Sequence, residues 1–169
     1  MSGERWKRFG FNAVLGGTGA SFKRELEDLR EQTRAVRCVP NATTTAVIEA
    51  IEAGHDFASA HRIAVEAGVC EADATLDFRG VDAALKLVIV ASFLSGTQRS
   101  LDEVELPPNL RELDPEELRS RARRGQTTRL VASLEEGGAL SVRYEAVARA
   151  STFAVPSSCV VYAYALGGG

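Results

Sequence analysis

The sequence predicts an α+β fold, a mixed β-sheet with helices packed on one face. Three observations predict it. Stretches with helical apolar spacing fill most of the chain between residues 41 and 125. Alternating, β-branched stretches gather in the last third. Strands and helices do not alternate strictly. The length of 169 residues points to one domain, 1–169, large enough to bury a core without disulfides or metals.

Residues 9–16 read as a strand and 21–31 as a helix, with Phe22, Leu26 and Leu29 on one face. Residues 34–39 (RAVRCV) read as a strand ending at Pro40. Asn41 or Thr43 caps the next helix, because a short polar side chain accepts the free N–H groups of a first turn. That helix runs to about Ala53 and stops at Gly54. Asp56 caps another, with Phe57, Ala60, Ile63, Ala64 and Ala67 on one face, ending at Gly68. A polar, acid-rich loop follows. The stretch Val81–Ser95 is a helix stopped by Gly96; its apolar centre around Leu85 and Leu87–Ala91 marks it as the buried central helix. Residues 97–114 read as an extended connector containing Pro107 and Pro108. Asp114 and Pro115 open a short charged helix that ends near Gly125. TRLVASL and ALSVRYEAV, joined across EEGG, read as a hairpin, and CVVYAYAL after Pro156 as the final strand.

Composition narrows the function classes. Hydrophobic residues make up 45% and charged residues 25%, with a formal net charge of −3. That balance suits a globular chain and gives no basic footprint for nucleic acid. No apolar run is long enough to span a bilayer, and MSGERWKRFGF lacks the apolar core of a secretory signal, so neither a membrane nor an export role is expected. Cys38, Cys70 and Cys159 are odd in number and widely spaced, with no CxxC or Cys/His ligand cluster. A structural zinc site is therefore not expected, and a reduced, cytoplasmic protein is.

Two stretches carry chemistry. The first, GGTGASF at 16–22, lies between a predicted strand and helix, where nucleotide-binding folds hold a phosphate. It fails as a dinucleotide loop: Phe22 occupies the third glycine position, and the next strand ends without the acid that would hold a ribose. A tight strand-to-helix turn is the other reading. The second stretch runs from Glu71 to Lys86 and includes Asp73, Asp77 and Asp82. Asp82 and Lys86 are four residues apart and share one face of an otherwise apolar helix, so the pair is partly desolvated. Burial lowers a lysine pKa and nearby carboxylates raise it again; a lysine balanced this way can trade a proton with a substrate oxygen. Glu71 and Asp77 can bind the ammonium of an amino-acid-like ligand. The same residues also read as an i,i+4 surface pair beside solvated loop acids. His55 and His61 read as surface residues around a helix start, and Cys70 as a buried thiol beside the acids.

The stretch Gly68-Val69-Cys70-Glu71-Ala72-Asp73-Ala74-Thr75-Leu76-Asp77-Phe78-Arg79-Gly80-Val81-Asp82-Ala83-Ala84-Leu85-Lys86 resembles, without a gap, the segment G-Y-x-E-x-D-P-x-x-D-x-x-G-x-D-A-x-x-K of the homoserine dehydrogenase family. Val69 and Ala74 depart from it. Asn41-Ala42-Thr43-Thr44-Thr45 is similar to the family's N-G-T-T-N, and the turn at Leu15–Lys23 to its V-G-G-G-I-P-I-I-K. The C-terminal hairpin and last strand resemble the closing sheet. The resemblance implies that Glu71, Asp77 and the neighbouring Asp73 bind substrate, that Asp82 and Lys86 handle the proton on the substrate oxygen, and that Gly17 and Thr43 contact the substrate. Ala42, Thr45 and the Gly19-Ala20 pair depart from the family pattern and bear on the substrate.

The resemblance also implies a stand-alone substrate and dimerisation domain, without the family's nucleotide-binding domain and its second catalytic lysine. A homodimer is expected, with Trp6, Phe9 and Phe11 covering the face that the missing domain would occupy. No cofactor is expected on this chain. Three functions stay open. One is a cofactor-independent acid–base enzyme of isomerase, lyase or cyclase type using Lys86 and Asp82. Another is the substrate half of a split NAD(P)-dependent dehydrogenase, partnered by a separate nucleotide-binding chain. The third is an amino-acid-sensing or partner-binding module.

Overall fold

The computed structural model describes residues 26–167. The strand at 9–16, the GGTGASF turn with Gly17, and Trp6, Phe9 and Phe11 lie outside them.

Strand β1 (Thr33–Val39) ends where Pro40 withdraws a backbone donor, and α1 (Ala42–Glu52) starts at once. Of the two predicted caps the structure uses Asn41, whose side chain accepts from the Thr44 N–H at 2.8 Å. Asp56 caps α2 (Phe57–Glu66) in the same way through Ser59. The loop read over residues 69–80 contains one helical turn, α3 (Thr75–Phe78), too short to show apolar periodicity. Gly80 then takes φ +72° and turns the chain into α4 (Val81–Ser95). The 97–114 connector holds two 3-10 turns, Leu101–Glu103 and Leu110–Glu112, and a two-residue strand, β2 (Val104–Glu105). α5 (Pro115–Arg123) starts with Asp114 as cap and proline in its first turn. The hairpin of β3 (Gln126–Leu134) and β4 (Leu140–Ala148) follows, and β5 (Val161–Leu166) closes the chain, beginning two residues later than CVVYAYAL suggests.

The five strands lie in the order β2-β4-β3-β1-β5. β1, β3, β4 and β5 pair antiparallel, and the short β2 runs parallel to β4, which makes the sheet mixed. Register places Cys38, Leu130, Ala132, Val142 and Tyr144 on one face. α4 packs there through Ala83, Ala84, Leu87 and Ala91, so it is the predicted central helix. It is not buried all round: Leu85 is exposed and borders a cleft. A second core joins α1, α2, α3 and α5 through Ile48, Ile51, Ala60, Phe78 and Leu118. The opposite face carries Arg37, Arg129 and Val131. Part of it is crossed by the segment between β4 and β5: the Val155 carbonyl accepts from Arg129 Nε, and Phe153 lies under the Arg37 guanidinium.

Candidate functional site

Two local features bring the acidic stretch to the end of β1. Pro40 and Asn41 form a corner whose carbonyl and side-chain groups point at α3 and α4. Gly80 allows α3 and α4 to meet at a sharp angle, and a Cβ there would lie 2.7 Å from the Pro107 ring. Phe78 anchors α3 from below, edge-on to the rings of Phe57 and His61, with the Arg111 guanidinium 5.5 Å from its centroid. The Tyr144 hydroxyl donates to the Phe78 carbonyl and ties α3 to the sheet.

A cleft of about 530 Å³ opens above this corner. Thr43, Cys70, Glu71, Asp73, Asp77, Asp82 and Leu85 are among its walls. Five of the residues singled out in the sequence therefore share one cavity. Lys86 does not line it. Its ammonium lies behind Asp82, ion-paired with Asp82 Oδ2 at 2.8 Å and donating to the Pro40 carbonyl at 2.9 Å. The Lys86 side chain is 16% exposed and that of Asp82 33%, so the pair is partly desolvated, as the apolar helix around it predicts. Gly17 lies outside the described residues.

The acids differ in their engagement. Asp77 Oδ1 and Asp82 Oδ2 both accept from the Asn41 side-chain amide, at 2.6 and 2.8 Å. Asp73 faces its own helix instead, accepting from the Thr75 hydroxyl at 2.6 Å and the Thr75 N–H at 3.1 Å. Those two bonds, the hydroxyl's first, hold its carboxyl below the ordinary carboxylate range. Glu71 is exposed at the rim, and its carbonyl meets His61 Nε2. The Thr43 hydroxyl donates to the Val69 carbonyl. Burial, then the charge of Asp77, raises the Cys70 thiol, and the same two causes hold the Tyr144 hydroxyl far above its usual range. Both stay protonated at neutral pH. Burial pushes the Cys38 thiol, behind Lys86, up to about 12.

Asn41 is the member that sequence reasoning left as a cap. Its signal was present: only asparagine among the good capping residues offers an acceptor for the helix and two donors for neighbouring acids.

The arrangement is an anionic cleft with a partly buried lysine behind an acid. Its walls suit a ligand that presents an ammonium, and the Asp82–Lys86 pair suits an oxygen that gains or loses a proton. Four carboxylates line the cleft and would repel a pyrophosphate. Among the described residues the one parallel pairing is the two-residue contact of β2 with β4, and no βαβ unit forms.

The family model for homoserine dehydrogenase matches residues 24–164. The chain belongs to the homoserine dehydrogenase family. A homoserine dehydrogenase of Methanocaldococcus jannaschii is 30% identical over 131 residues, which are 76% of this chain and 39% of that one. One from Corynebacterium glutamicum is 30% identical over 107 residues, 63% of this chain and 24% of that one. A structure described as an Archaeoglobus fulgidus homoserine dehydrogenase superposes with a TM-score of 0.71 at 27% identity, covering 80% of this chain and 42% of the other. A Thiobacillus denitrificans structure shares the fold at TM-score 0.71 and 20% identity. The chain thus spans roughly two-fifths or less of each of the first three homoserine dehydrogenases, and it shares the α+β architecture read from its sequence with the two solved structures over the part they cover.

Proposed function

We propose that this homoserine dehydrogenase-like domain binds an amino acid of the homoserine or aspartate-semialdehyde type and performs cofactor-independent acid–base chemistry on it. The observation that carries the reading is the coupling of Asp82 to Lys86 at the back of an acid-walled cleft. Asp77 and Glu71 take the ammonium, as charge-assisted acceptors do. Asp82 takes the proton of the substrate hydroxyl. Lys86, held by Asp82 and the Pro40 carbonyl, acts from behind that carboxylate: its positive charge stabilises the negative charge that develops on the ligand oxygen, and Asp82 returns the proton in the opposite direction. The apolar packing of α4 around the pair keeps these charges strong.

Turnover of L-homoserine and related amino acids, followed by proton NMR in deuterated water without any nicotinamide, tests this. New product signals or deuterium uptake with the wild type, reduced at least about a hundredfold in Lys86→Met, are the expected result. Equal turnover in the two proteins would exclude Lys86 from the chemistry.

A second reading rests on the family match over residues 24–164 together with the acid-walled cleft. Here the domain supplies the substrate half of a dehydrogenase, and a separate nucleotide-binding chain supplies the cofactor. Activity that requires both NAD(P)H and such a chain separates this reading from the first.

A further inference from the structure

We infer that Asn41 is a positioning residue of the cleft, which holds Asp77 and Asp82 in the geometry that receives the ligand. The inference rests on the reading of the cleft as an amino-acid site, and goes beyond it by assigning a residue outside the acidic stretch.

Asn41 is buried, and each polar atom of its side chain has a partner on a different element. Oδ1 accepts from Thr44 N–H in α1. Nδ2 donates to Asp77 in α3 and to Asp82 in α4. The two carboxylates repel each other, and one amide placed between them offsets that repulsion with two charge-assisted hydrogen bonds. Each acid thereby has one oxygen fixed. Asp77 Oδ2 and Asp82 Oδ1 take no hydrogen bond within the described residues and are left for the cleft. The backbone carbonyl one residue earlier, on Pro40, fixes Lys86 from the same corner. The corner between β1 and α1 therefore sets the positions of all three charged groups. A cap alone does not require this: serine or aspartate would cap α1 about as well.

Tyr144 and Cys70 stand near Asp77, and Tyr162 and Cys38 near Asp82 and Lys86; burial raises all four, so they remain neutral. Glu71 and Asp73 share the cleft.

Two variants separate positioning from capping. Asn41→Ser keeps a cap but has no donor that reaches both acids. Asn41→Asp keeps cap and shape but sets a third carboxylate against the other two; protonating it restores a donor. Calorimetric titration with L-homoserine, alongside melting curves, reads both. The expected result is near wild-type melting, a Kd raised at least about tenfold in Asn41→Ser, and an Asn41→Asp affinity that improves as pH falls from 8 to 6. Wild-type affinity in Asn41→Ser, or an Asn41→Asp affinity that improves as pH rises, would overturn the inference. If the wild type itself does not bind homoserine, the substrate reading fails, and the ligand-free crystal structure of Asn41→Ser decides the positioning role. Asp77 and Asp82 turned away from their wild-type positions support it; both carboxylates left in place overturn it.

Discussion

Two polar clusters flank α1, and they are built on opposite terms. At its C-terminal half, Arg129 is 3% exposed and is held on every side: by Glu49 at 2.7 Å, the Thr127 hydroxyl, the Thr128 carbonyl and the Val155 carbonyl. Glu52 beside it, 4% exposed, accepts from Thr127, Thr128 and Arg149. At the N-terminal corner, Asn41, Asp77, Asp82 and Lys86 are linked as tightly, yet one oxygen of each aspartate takes no hydrogen bond among the described residues, and both aspartates line an open cleft. The sealed cluster is complete in itself and fastens the β4–β5 crossing to the sheet. The open cluster has acceptors left over among the described residues, and in the proposed function a ligand uses them. Buried charge alone therefore does not single out the proposed site; buried charge with acceptors left over at a cavity wall does.

The sharpest way to break the comparison is at the sealed side. Arg129→Met leaves Glu49 and Thr127 without their shared donor. We expect a loss of about 2–3 kcal/mol, below the range for a fully buried pair because Glu49 remains 37% exposed, with the cleft unaffected. The denaturant midpoint measures the first part and ligand titration the second.

Gly80→Ala acts on the hinge between the site's two helices. An L-residue at φ +72° against Pro107 costs about 1–3 kcal/mol, and displacing α3 from α4 weakens ligand binding as well. Melting and titration should therefore fall together, unlike in the Arg129 variant. Lys86→Met is the converse. With Asp82 a third exposed and still bonded to Asn41, stability should change by no more than about 1 kcal/mol while the proton chemistry is lost.

Glu49 gives a smaller signature. Burial outweighs the pull of Arg129 and raises its pKa above the ordinary value of 4.5. A carboxyl that holds its proton more firmly when folded makes stability fall as pH rises through the range just above 4.5. Glu49→Gln should flatten that slope, which melting curves at half-unit intervals upward from pH 4.5 can check.

The comparison also shows what was readable in advance. Caps and stops were legible because they are local: Asn41, Asp56 and Asp114 start helices, and Gly96 ends α4. The Asp82–Lys86 pair was legible because i,i+4 spacing on one helix guarantees proximity. α3 and β2 were not, since four and two residues are too few to show a period. The bridging role of Asn41 was hidden because its partners lie 36 and 41 residues away. The Arg129 cluster was hidden for the same reason: Glu49 is 80 residues from Arg129, and only the packing of α1 on β3 brings them together.

The central claim is that the unused carboxylate oxygens at the open corner receive an ammonium group. Calorimetric titration of the wild type and of Asp77→Asn with L-homoserine tests it most directly. Asn at this position keeps the shape and removes the charge. A wild-type binding heat and an affinity at least about tenfold lower in Asp77→Asn, with melting unchanged, are the expected result. Equal affinity in the two proteins would contradict it.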